Sequence, residues 1–164
     1  MASAVVAPVL VFGWGNLSRG DDALGPLCVE RLRSLAGPDA GVEFLDDYQL
    51  QVEHALDLVG RSRVLFVDAS RSAAAPFEVQ PVLPRQDASF TTHAMSPQAL
   101  LQVYADVHGA PPPACTLLAI SAAAFALGEP PSAQALAHLE AAVCWARGWL
   151  EAPVPAAVGR GSHA

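Results

Sequence analysis

Three carboxylates and one imidazole stand out in this chain for the sequence around them. Asp21 and Asp22 are adjacent and follow the glycine-rich stretch Val9-Leu-Val-Phe-Gly-Trp-Gly-Asn-Leu-Ser-Arg-Gly20. Asp68 closes the apolar run Arg63-Val-Leu-Phe-Val67. His93 lies in Phe90-Thr-Thr-His-Ala-Met-Ser-Pro97, just ahead of a helical pattern. A carboxylate ending an apolar strand is costly unless a partner or a cation compensates it. Two such carboxylates and an imidazole, if they converge, make an oxygen- and nitrogen-donor metal site with open positions. Structural readings compete at each position. Asp21 and Asp22 at a helix entry complement its dipole, an effect of about 0.3–1 kcal/mol each. Asp68 can serve as a turn acceptor or helix cap. The other histidines read as structural: His54 beside Glu53 on a helix, His108 at a helix end, His138 on a surface-like run and His163 in the tail.

The elements around these residues predict an α/β fold. Val9–Phe12 has the length and composition of a buried parallel strand. Leu24, Leu27, Cys28, Arg31, Leu32 and Leu35 then fall at helical spacing, which puts Asp21 or Asp22 near the N-cap. Further strands are predicted over 42–46, 63–68 and 115–120, with helices over 50–59, 96–107 and 132–150. In the last helix Leu136, Leu139, Val143 and Ala146 are expected to face inward. The proline-bearing segment 76–84 reads as an edge strand, placed antiparallel. Strands alternating with helices imply a single three-layer α/β/α sandwich with a mainly parallel sheet of about five strands. The domain spans 1–150, and 151–164 is a Pro/Ala/Gly-rich tail. In such a sheet the loops after Phe12 and Val67 leave on one rim, so Asp22 and Asp68 can meet there.

Composition narrows the partners. A hydrophobic share of 52% with 15% charged residues excludes disorder. A net charge of −7 with nine basic residues argues against nucleic acid. No apolar run reaches membrane-spanning length, and with no basic region before Val5 a signal peptide is not expected. Cys28, Cys115 and Cys144 are scattered without metal or redox spacing and read as small buried hydrophobes in a reducing, cytoplasmic setting. A nucleotide is disfavoured. Ser18 stands where a dinucleotide fingerprint needs its third glycine, and Asp21-Asp22 follow Gly20 where a phosphate loop needs Lys and Ser or Thr.

Taken in order, Gly13-x-Gly-Asn-x-x-x-Gly-Asp-Asp-x-x-Gly25, Val64-Leu-Phe-Val-Asp-Ala69 and Thr92-His-Ala-Met-Ser96 resemble the nickel–iron hydrogenase maturation endopeptidases. The resemblance runs from about Val9 to Leu150. It implies a peptidase that removes a short C-terminal extension from the nickel-loaded large-subunit precursor of a [NiFe] hydrogenase, allowing that subunit to close around its metal centre. It also implies Asp22, Asp68 and His93 as nickel ligands, the nickel being the substrate's own ion. Gly13, Gly15, Asn16, Gly20 and Asp21 would form the supporting loop. Many members carry Asp-Gly-Gly-Thr after the second strand. This chain has Asp46-Asp-Tyr-Gln-Leu-Gln51, so Asp46, Asp47, Tyr48 and Gln49 make a candidate substrate-recognition loop, in a form resembling the branch that serves soluble NAD-linked hydrogenases.

Two chemistries stay open: nickel as Lewis acid or anchor with Asp22 and Asp68 activating water, or Asp21 or Asp22 as general base while the metal certifies the substrate. Competing functions are a non-catalytic nickel carrier or maturation chaperone using the same ligands, and a nucleotide-binding module using the glycine loop.

Overall fold

A computed structural model describes residues 5–86 and 95–152. Five strands form one sheet in the order β2-β1-β3-β5-β4: β1 Val9–Trp14, β2 Val42–Asp47, β3 Arg63–Ser70, β4 Phe77–Val82 and β5 Ala114–Ser121. All neighbouring pairs are parallel except β4 with β5, which places the proline-bearing edge strand as the sequence predicts. Three helices flank the sheet: α1 Leu24–Leu35, α2 Pro97–His108 and α3 Ala133–Glu151.

Strand alternation sorts the core into two layers. Val11, Leu65, Val67, Leu118 and Ile120 pack against α1 and α3. Leu10, Phe12, Trp14, Val64 and Phe66 face the opposite way, with Leu50, Leu58, Leu100 and Leu101. The central strands are therefore apolar on both faces, which is why they read as continuous hydrophobic runs. Ser96 and Ser132 cap α2 and α3 through their side chains, accepting the N–H of Ala99 and Ala135.

Four expectations fail. The segment 50–59 is not an α-helix but a 3-10 helix over Val52–Leu58. Its inward residues are His54, Ala55 and Leu58, while Val52, Leu56 and Val59 are exposed. The cause is local: Gln51 and His54 bond reciprocally across the first turn, and that pairing rotates the imidazole inward. Leu136 is exposed, because Ala135, Leu139 and Ala142 already fill the buried stripe of α3. Cys144 is exposed too, whereas burial pushes the Cys28 and Cys115 thiols up to about 12 and leaves them inert. Finally, β3 runs two residues past Asp68 in register with β5, although its pairing with β1 stops at Val67.

Among the described residues no helix is long and apolar enough to cross a membrane.

Candidate functional site

The strand order locates a crevice. The chain leaves β1 to one side to form β2 and returns on the other side of β1 to form β3, so the sheet has its switch point between β1 and β3. Ligands of open α/β sheets bind beyond the carboxyl ends of the strands at such a point. Asp22, just after β1, and Asp68, the first residue of β3 beyond its pairing with β1, flank that crevice.

Close backbone packing builds its floor. Gly15 has φ of 149°, and a Cβ there would lie 1.9 Å from the Asp22 carbonyl oxygen. Gly20, at φ of 56°, would meet the Ala124 carbonyl at 2.5 Å. Gly15 and Gly20 of the predicted supporting loop are thus required to be bare backbone. Gly13 belongs to β1 itself and is buried there.

Five backbone donors in this loop are already committed. The N–H of Gly15 goes to the Asp47 carbonyl at 3.0 Å, and that of Asn16 to Asp22 Oδ2 at 2.8 Å. Ser18 donates to Asn16 Oδ1 at 2.8 Å, Arg19 to the Asn16 carbonyl at 3.1 Å, and Gly20 to the Glu129 carbonyl at 2.9 Å. A phosphate cradle needs such amides free, so the nucleotide reading loses its ligand as well as its motif.

The two adjacent aspartates part company. Both lie in a 3-10 turn, Gly20–Ala23, ahead of α1, and neither caps that helix: its N-cap is Ala23, with no side-chain cap bond. Asp21 is fully buried. Its carboxylate accepts the N–H of Ala123 and Ala124 at 2.9 Å each, the N–H of Ser132 at 2.7 Å and the Ser132 hydroxyl at 3.2 Å. Burial alone would raise its pKa, but the four bonds outweigh it and hold the carboxyl below the usual carboxylate range. Three of these bonds fall on Oδ2 and one on Oδ1, so the charge of Asp21 is largely satisfied within the fold. Asp21 ties the β5–α3 loop and the α3 N-cap to the glycine loop.

Asp22, half-buried, uses one oxygen on the Asn16 amide, and the other has no hydrogen-bond partner among the described residues. Asp68 is the opposite of Asp21. Burial pushes its carboxyl up to about 7, the Asp22 charge adds to the rise, and hydrogen bonds from the Ala69 amide and the Trp14 side chain only partly offset them. The structure brings these two predicted site residues together. The third, His93, lies outside the described residues. Among the described residues no group of three His, Cys, Asp or Glu side chains is placed to hold a metal.

Beside the crevice, Asp46 and Asp47 end β2 opposite Gly13 and Trp14. Asp46 lies near Arg33 at 3.8 Å. Asp47 accepts the Tyr48 amide at 2.6 Å and faces His54 Nε2 at 3.0 Å, while Tyr48 and Gln49 project into solvent. His54 Nδ1 accepts the Gln51 amide at 2.8 Å, so its proton sits on Nε2 and points at Asp47. Both ring nitrogens are engaged; this histidine is not a free base. Its ring meets Phe12 edge-on at 4.6 Å, and Phe12 leads through Trp14 to Asp68.

The sequence reading missed Trp14 and His54. An indole between two glycines at a strand end was a visible signal of an N–H donor aimed at the rim. Burial of His54 left no signal, because it depends on the 3-10 turn.

Comparison with known proteins matches the geometry. No protein-family model matches this chain. No curated protein sequence matches it either. Solved structures do. A hydrogenase 2 maturation peptidase from a Thaumarchaeota archaeon is 29% identical over 87% of this chain and 97% of its own, with a TM-score of 0.64. A [NiFe] hydrogenase maturation protease, HycI, from Thermococcus kodakarensis is 22% identical over 89% of this chain and 94% of its own, with a TM-score of 0.67. The hydrogenase maturating endopeptidase HybD from E. coli is 22% identical over 87% and 91%, with a TM-score of 0.64. The structural neighbours of this chain are thus hydrogenase maturation peptidases, and it shares their fold along nearly all of its described length.

Proposed function

We propose that this chain is an endopeptidase that removes the C-terminal extension of a nickel-loaded [NiFe] hydrogenase large-subunit precursor. The observation that carries the reading is the convergence of Asp22 and Asp68 at the switch-point crevice of a fold shared with maturation peptidases of that kind.

Nickel belongs to the substrate. Asp22 has one oxygen without a hydrogen-bond partner among the described residues, and Asp68 is a carboxyl whose proton a dication displaces readily at neutral pH. His93, in the segment entering α2, supplies the third ligand in this proposal. Meeting the ion with two anionic oxygens selects loaded over empty precursor, since an empty precursor leaves the Asp22–Asp68 repulsion uncompensated. With the scissile bond beside the ion, Asp68 or Asp22 takes the proton of the attacking water. The carrier reading has no observation in its favour beyond the same ligands.

The test is to mix the protein with nickel-loaded and nickel-free precursor and follow the subunit mass. Loss of the extension from the loaded form alone is expected. Tight nickel binding by the isolated protein with no change in subunit mass would favour the carrier.

A further inference from the structure

The rim that holds Asp22 and Asp68 also carries two arginines. Arg19 sits in the glycine loop three residues before Asp22, and Arg71 lies three residues after Asp68. One aromatic residue from the β5–α3 loop gathers both. The Arg19 Nε–H donates to the Phe125 carbonyl at 3.1 Å, and the Arg71 guanidinium stacks on the Phe125 ring at 4.2 Å. Phe125 itself is held in place. The adjacent amides of Ala123 and Ala124 are bound by buried Asp21, and the Asp21 amide returns a bond to the Ala124 carbonyl at 2.7 Å.

What sets Arg19 and Arg71 apart is that both engage one residue, Phe125; Arg85 and Arg147 also lack an ion pair among the described residues, whereas the remaining described arginines are partnered. Arg31 pairs with Glu140, Arg33 with Glu30 and Arg61 with Glu43, while Arg63 is buried against the carbonyls of Trp149, Leu150 and Ala152. Arg19 and Arg71 have no carboxylate partner among the described residues, although acidic side chains outnumber basic ones sixteen to nine. Both are exposed. Two like charges held on one residue without a counter-ion favour an anion. A stacked guanidinium keeps its N–H donors at its edge, in the planar fork that fits a carboxylate.

We propose that Arg19 and Arg71 form, on Phe125, a preorganised subsite for a carboxylate of the precursor peptide. This rests on the peptidase reading and adds to it that the substrate presents a cation to the aspartates and an anion to the arginines. The carboxylate is either an acidic side chain or the end of the extension.

The test is steady-state processing of nickel-loaded precursor by the full chain at low and high salt. The Arg19→Gln/Arg71→Gln double variant should raise KM about tenfold at low ionic strength and leave kcat within about twofold. Its KM should also lose most of its dependence on salt. Arg71→Gln alone, which removes no hydrogen bond of the described structure, should show part of the same KM effect if the double variant melts early. Precursor with an amidated C-terminus, and precursor with its acidic extension side chains changed to amides, identify the source. The one that raises KM for wild type but not for the double variant bears the carboxylate. An unchanged KM in both arginine variants, or no effect from either modified precursor, overturns the subsite while processing by wild type leaves the peptidase reading intact. Failure of wild type to process at all sinks that reading instead.

Discussion

Asp21 and Asp68 are carboxylates on one rim of one sheet, and the fold treats them in opposite ways. Asp21 is given four hydrogen-bond donors from residues over a hundred positions away and is held ionised. Asp68 is half-buried beside another negative charge with fewer donors, and desolvation pushes its carboxyl up to about 7. A satisfied buried charge is a staple. An under-satisfied one beside a like charge is a site waiting for a cation or a proton. Adjacency in sequence says nothing about this: Asp22, next to Asp21, belongs with Asp68.

The largest effect should come from breaking the staple. Asp21→Ala leaves the amides of Ala123, Ala124 and Ser132 without their acceptor, and should cost about 3–5 kcal/mol. Asp21→Asn keeps one acceptor oxygen but sets an NH2 against donors, so it should cost nearly as much. Urea unfolding measures both; a loss below about 1 kcal/mol would mean the loop is held by other contacts. The sign with pH follows. The folded pKa lies below the unfolded one, so this stabilisation is fully present above about pH 4 and is lost as pH falls through the folded value. Acid unfolding of Asp21 variants should therefore be the flatter curve.

Next in size is Gly15→Ala. Its Cβ would sit 1.9 Å from the Asp22 carbonyl at a backbone angle an L-residue rarely adopts, so the loop must shift. A cost of about 2–4 kcal/mol is expected, with Asp22 displaced and processing lost. Gly37→Ala, where a Cβ meets nothing within 4 Å, is the control.

Asp68→Asn should act in the opposite direction on stability. The folded pKa is raised from 3.8 to about 7, so Asp68 favours the fold when protonated, and that contribution is lost as pH rises through about 7. Above that pH the asparagine variant should be more stable than wild type by about 1–2 kcal/mol, and near pH 4 the gap should close. Processing should cease. Thermal melts at several pH values, beside the mass of the precursor, separate the two effects. A destabilised Asp68→Asn at pH 8 would make Asp68 structural, a second staple, and the comparison would collapse.

These contrasts explain what was legible beforehand. The central strands of the sheet could be read because residues buried on both faces make unbroken apolar runs, as in Val64–Val67. Segment 50–59 could not, since its inward face is set by a Gln51–His54 bond rather than by hydrophobic period. Asp22 and Asp68 were legible as strand-end carboxylates. The separate duty of Asp21 was not, because its partners lie at Ala123, Ala124 and Ser132 and two identical neighbours give no internal signal. Phe125 and the arginines escaped for the same reason: their relation exists only once three loops meet.

The smallest effect is the sharpest probe of the pairing itself. Asp22→Asn keeps a side-chain oxygen to accept the Asn16 amide, so the loop should hold and stability should change by less than about 0.5 kcal/mol. What it removes is the negative charge beside Asp68. That charge raises the Asp68 pKa, though burial is the larger cause, so the variant should lower that pKa without returning it to the ordinary carboxylate range. The direction can be read by carbon-13 titration of the Asp68 carboxyl, and independently from the pH at which the Asp68→Asn stability gain reaches its plateau. In the Asp22→Asn background that gain should be smaller and should level off at lower pH, its onset near pH 4 being unchanged. An Asp68 titration indifferent to Asp22 would mean that the two carboxylates do not share a field, and a dication bridging them would lose its physical basis.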